Sequence, residues 1–212
     1  NSIKDTGFNV DNSLRFNFAS SDFLDRTPDS ASNRRTFTFS CWVKRSVLTI
    51  RNLFSAVGTD AARPDEIRFS ADHRLYVSFR NTEDGIVATS RLFRDVSAWY
   101  HICVAVDTTQ ATASNRVKIY VNGVQETTLT GDGAGDSATF PNEDFESLGF
   151  NQASNHQIGS RAVGTPTLYF DGYMSEVVFI DGLALAADQF GEFDEDTNIW
   201  KPIDVSGLTF GT

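Results

Sequence analysis

Four rings, Trp42, Trp99, His101 and Tyr120, lie in segments that strand alternation would bring side by side. Flat aromatic faces stack on the C–H side of sugar rings, and a few polar neighbours then fix orientation. Such a cluster is a candidate glycan-binding surface. Other chemistry has less footing. His73, His101 and His156 are scattered, and neither an HExxH pair nor a Cys/His cluster offers zinc its ligands. There is no GxSxG, and no spacing suggests a Ser/His/Asp set. Gly131-x-Gly133-x-Gly135 lacks the following helix and the Lys of a phosphate cradle. Asp194-x-Asp196-x-Asn198 opens like an EF-hand loop. It has Ile199 where the sixth-position Gly is required, and Val205 in place of the twelfth-position Glu.

The elements that must position the four rings are strands. In Thr36–Lys44, Phe37, Phe39, Cys41 and Val43 point one way, toward the core, and Thr38, Ser40, Trp42 and Lys44 the other. In Trp99–Val106 the apolar set is Tyr100, Ile102, Val104 and Val106, which leaves Trp99, His101, Cys103 and Ala105 opposite. In Val117–Val121 the inward set is Val117, Ile119 and Val121, with Lys118, Tyr120 and Asn122 outward. Side by side in one sheet, these strands gather Trp42, Trp99, His101 and Tyr120 on its outer face. Two readings follow. Either the rings are displayed as a platform, or a loop such as Gly131–Asn142 folds over them as a second small core, the commoner fate of large rings on a sheet.

Beyond these strands, alternating runs separated by turn residues fill the chain, about a dozen in all, without helical crossovers. Asn122-Gly123 is the strongest hairpin signal, and Ala71–Arg74 separates two further runs. The fold class predicted is all-β, a two-sheet antiparallel sandwich with one short helix at Leu183–Phe190. Residues 1–12 read as an arm or edge segment, 13–190 as the domain, and 191–212 as an acidic extension leading into a longer chain. The 28 acidic residues against 18 Lys and Arg give a net charge of -10, which disfavours nucleic acid as a partner. No run of 18 or so apolar residues predicts membrane insertion, and NSIKDTGFNV is no signal peptide. Cys41 and Cys103 fall on opposite faces of neighbouring strands, so two free thiols are expected, consistent with folding in a reducing cytoplasm.

FTFSCWVK (Phe37–Lys44), AWYHICVAVD (Ala98–Asp107), VKIYVNGV (Val117–Val124) and FDGYMSEVVFIDGLAL (Phe170–Leu185) occur in that order. Together they resemble the laminin-G-like jelly roll of the concanavalin A-like lectin/glucanase superfamily, over about residues 13–190. The stretch from Ser90 to Gln125 and the tail FGEFDEDTNIWKPI are similar to modules of tailed-bacteriophage virion proteins. The resemblance implies a non-catalytic virion module, assembled in the host cytoplasm as part of an oligomeric tail or fibre. It would bind host-surface glycan or, alternatively, pack against other virion subunits without recognising sugar. Many family members hold calcium with an Asp before the late-strand Glu. Here the pair is Ser175-Glu176, so the calcium candidates reduce to Asp22 and Glu176. The superfamily's glucanases carry Glu-x-Asp-x-x-Glu. The nearest string, Glu192–Thr197, lacks the final acid and follows the predicted helix, so hydrolysis is not expected.

Overall fold

The computed structural model describes residues 8, 10–58, 63–79, 84–133 and 135–211. In chain order the strands are β1 (Leu14–Phe16), β2 (Leu24–Arg26), β3 (Thr36–Arg45), β4 (Arg51–Ala56), β5 (Asp65–Phe69), β6 (Leu75–Phe79), β7 (Gly85–Thr89) and β8 (Tyr100–Asp107). They continue as β9 (Val117–Val121), β10 (Val124–Gln125), β11 (Leu129–Thr130), β12 (His156–Ile158), β13 (Gly172–Asp181), β14 (Gly191–Phe193) and β15 (Trp200–Pro202). A front sheet runs β1-β13-β3-β8-β9-β10 and a back sheet β11-β7-β6-β5-β4-β12-β2, every pairing antiparallel. This is the expected sandwich.

The alternation in β3, β8 and β9 fills its interior as predicted. Phe37, Phe39, Cys41, Val43, Ile102, Val104, Val106, Val117, Ile119 and Val121 are all buried in one core with Leu53, Ile67 and Val77 of the back sheet. The layers are stitched by rings: Phe39 stacks on Phe54 at 5.1 Å and Phe54 on Phe150 at 5.2 Å, nearly parallel in both cases. Burial of each such ring contributes roughly 2–3 kcal/mol, which accounts for the high Phe content. Cys41 belongs to this core and Cys103 to a separate one on the other side of the front sheet, and both are free thiols.

Three expectations are corrected. Leu183–Phe190 is not an α-helix but an extended stretch ending in a 3₁₀ turn at Ala187–Gln189. The hydroxyl of Thr38 donates to the Leu183 carbonyl at 2.7 Å and accepts the Leu185 N–H at 2.8 Å, so tertiary bonds capture backbone groups that a helix would have used. Gly191–Asn198, whose charge run reads in the sequence as a solvated loop, is not a plain loop. Gly191–Phe193 pairs with Trp200–Pro202 as a separate two-stranded ribbon. The segment around Gly131–Asn142 does not cover the front sheet: its Thr139 bridges Ile86 on the back sheet, and Arg74 donates to the Gly131 and Asp132 carbonyls.

Candidate functional site

The outer face of the front sheet is built by register. Trp42 on β3 lies opposite His101 on β8 and Ser175 on β13, and Cys103 lies opposite Tyr120 on β9. A bulge in β13 matters here. Between Ser175 and Val178 the strand carries one residue more than its partner, with Glu176 at φ 48°. The extra residue switches which side chains face outward. Below it Met174 enters the main core, while above it Val178 and Ile180 face outward into the second one.

That second core is closed by the C-terminal segment. Cys103, Val178, Ile180, Ala187, Phe190 and Trp200 are buried together, with Trp42, Tyr120, Leu185, Val205 and Leu208 packed around them. Trp200 is the wedge. A Cβ on Gly123 would come within 2.3 Å of its ring, and one on Gly191 within 2.6 Å. Gly123 is therefore required twice, for its φ of 80° in the Asn122-Gly123 hairpin and for the approach of Trp200. His101 is fully buried beneath this cover, 5.2 Å from the Trp42 ring and 5.8 Å from Trp200. Its Nε2 bonds the Ser40 hydroxyl at 2.9 Å, and burial lowers its pKa to about 4, so it is neutral at pH 7.

Of the four predicted residues, His101 and Tyr120 thus belong to the second core. Trp42 spans its border, and Trp99 stands outside it. Beside that border lies a cavity of about 360 Å³ lined by Val10–Ser13, Trp42, Trp99, Ser175 and Pro202. Trp99 is 38% exposed and its ring lies 6.4 Å from that of Tyr173, over which the Arg15 guanidinium is placed at 5.2 Å. The Ser175 hydroxyl donates to the Asn12 carbonyl at 2.6 Å and pins the N-terminal segment as one wall. Two indoles on a mainly apolar lining that also includes Asp11, Asn12 and Ser13 can stack a sugar ring and bond its hydroxyls. Sequence reasoning missed Val10–Ser13 and Pro202. Only the outward position of Tyr173 and Ser175 in their strand could have signalled the β13 contribution.

The calcium candidates are placed as follows. Asp22 follows the 3₁₀ turn Phe18–Ser20 and accepts the Asn17 N–H at 2.9 Å, while Glu176 occupies the β13 bulge. Among the described residues no three His, Cys, Asp or Glu side chains gather as metal ligands. In the acidic string, Asp194 accepts the Asp196 and Thr197 amides at 3.1 and 2.9 Å. Glu192 and Asp194 both pair with Lys201, at 3.3 and 3.4 Å.

Residues 18–189 match a family model described as the concanavalin A-like lectin/glucanases superfamily. A search of curated protein sequences finds no match. Among solved structures, a putative carbohydrate binding protein from Bacteroides ovatus aligns with TM-score 0.54 and 17% identity over 94% of this chain, which spans 53% of that protein. The native heptameric SAP-like pentraxin from Limulus polyphemus aligns with TM-score 0.51 and 16% identity, covering 79% of this chain and 72% of its own. The IT-sialidase CBM40 from Ruminococcus gnavus aligns with TM-score 0.50 and 14% identity, covering 80% of this chain and 96% of its own. At these identities the likeness is one of fold.

Proposed function

We propose, for a chain that belongs to the concanavalin A-like lectin/glucanases superfamily, a role as a non-catalytic glycan-binding module whose site is the Trp42–Trp99 cavity. The observation that carries the reading is the cavity itself: two indoles line one concave, mainly apolar surface together with the polar residues Asp11, Asn12, Ser13 and Ser175. That is the lining a sugar requires. Structural neighbours named as carbohydrate-binding add support at the level of fold. The resemblance of Ser90–Gln125 and of the tail to phage virion modules extends the proposal to a tail or fibre component that attaches a virion to its host. The acidic balance of the chain favours neutral over sulfated or sialylated glycans.

A second reading, packing against neighbouring virion subunits, is favoured by the apolar side chains left on the surface by the hairpins, Val124 at 53% exposure and Ile199 at 64%. A glycan array probed with this domain separates the two. Binding to a coherent set of neutral glycans, lost in Trp99→Ala protein, is the expected result. No binding across a broad panel transfers the case to subunit packing. Repeating the array with a chelator tests calcium at Asp22 and Glu176, since loss of binding with chelator alone would move the site there. Reducing-end release from a polysaccharide that disappears in Glu192→Ala or Asp194→Ala protein would overturn the non-catalytic assignment.

A further inference from the structure

The glycan-binding reading uses only one end of the aromatic face; the other end is covered by the chain itself. We propose that the C-terminal segment Leu185–Leu208 opens as a unit, independently of the sandwich, withdrawing Pro202 from the wall of the Trp42–Trp99 cavity and uncovering His101 and Tyr120, so that the aromatic face becomes continuous from Trp99 to Tyr120. What the uncovered face would bind rests on the glycan reading; the opening does not.

Three observations carry the proposal. First, the two cores lie on opposite faces of the front sheet and share none of their buried side chains, so one can open while the other stays packed. Second, among the described residues β14 and β15 ladder only with each other, and β15 carries Trp200, the wedge of the cover. The bonds that reach the cover from the front sheet include those of Thr38 and Cys103 to Leu183 and Leu185, with the Asp181 N–H donating to the Phe210 carbonyl just beyond it, and the rest of the contact described between them is side-chain packing. Third, the seam is imperfectly satisfied. Among the described residues, Trp42 Nε1, Trp200 Nε1 and His101 Nδ1 are buried without a hydrogen-bond partner, and the His101 ring touches both indoles. Buried polar groups are normally paired, and each unpaired one counts against the closed arrangement. Small units with few buried contacts and unsatisfied groups are the ones that open below the global unfolding limit.

The two cysteines are built-in reporters, because Cys103 lies in the second core and Cys41 in the main one. The test is native-state alkylation of the full chain with iodoacetamide, quenched over time and read at each cysteine by peptide mass spectrometry. Cys103 should react at least tenfold faster than Cys41. Gly191→Ala adds only a methyl, pressed against Trp200, and should speed Cys103 several-fold while leaving Cys41 unchanged. Trp200→Ala, which removes the wedge, should do the same. Equal rates at the two cysteines, parallel acceleration of both, or a fast Cys103 indifferent to both substitutions would each overturn the proposal. A glycan array without hits would leave this outcome untouched, so the two readings fail separately.

Discussion

Trp99 and Trp42 face the same cavity but differ in what else they hold. Trp99 is exposed and touches Tyr173 at its margin, so Trp99→Ala should change stability by about 0.5 kcal/mol or less. Trp42 also packs on the second core, so Trp42→Ala should cost about 1–3 kcal/mol, read as a lower denaturant midpoint. His101 makes stability pH-dependent. Its pKa is lowered in the fold by burial, to about 4 from an ordinary value of 6.5. The unfolded chain therefore binds the extra proton first as pH falls. Stability is full above about pH 6.5 and is lost progressively toward pH 4, by up to about 3 kcal/mol. Burial also lowers the pKa of His156, which adds to the same trend. Urea titrations at pH 7 and pH 4.5 should show the loss, and His101→Gln protein should show less of it. An equal loss in the variant would remove His101 from the account.

At the scale of elements, the Asn122-Gly123 hairpin joins the sandwich to its C-terminal cover. Gly123→Ala meets both a left-handed backbone, φ 80°, and the Trp200 ring. It should destabilise by about 2 kcal/mol or more in equilibrium denaturation. A near-neutral result would mean that Trp200 does not pack on the hairpin. This hairpin was legible from its two residues, as were the inward sets of β3, β8 and β9, because alternation ties side-chain direction to chain position. The β13 bulge was not, since Glu176 is no usual left-handed residue and nothing local announces the extra position. A cover is one of the two readings the alternation leaves open, but the segment that supplies it is the C-terminal one and not Gly131–Asn142. The short Leu183–Phe190 run suggests a helix from its own residues, but Thr38, remote in sequence, holds its start extended. The packing of the tail on the front sheet depends on Trp200 fitting against Gly123 of the hairpin and Gly191 of its own ribbon, a complementarity of shape that no periodicity encodes.

For the whole molecule, the described secondary structure is two sheets and a ribbon, with helical character confined to three 3₁₀ turns. Circular dichroism should therefore report less than about 10% helix, far below the average of globular domains. The fold was readable because four ordered strand motifs repeat its architecture. The site was readable in part, since Trp42 and Trp99 come from alternation while its walls come from segments distant in sequence, Val10–Ser13 and Pro202. The central claim is that a sugar stacks in that cavity. The most direct measurement is isothermal titration of the strongest neutral glycan from the array into wild-type and Trp99→Ala protein of equal thermal stability. The account predicts an affinity loss of about tenfold or more, as removal of one stacking ring implies. Unchanged affinity in the variant would place the sugar elsewhere and contradict the account.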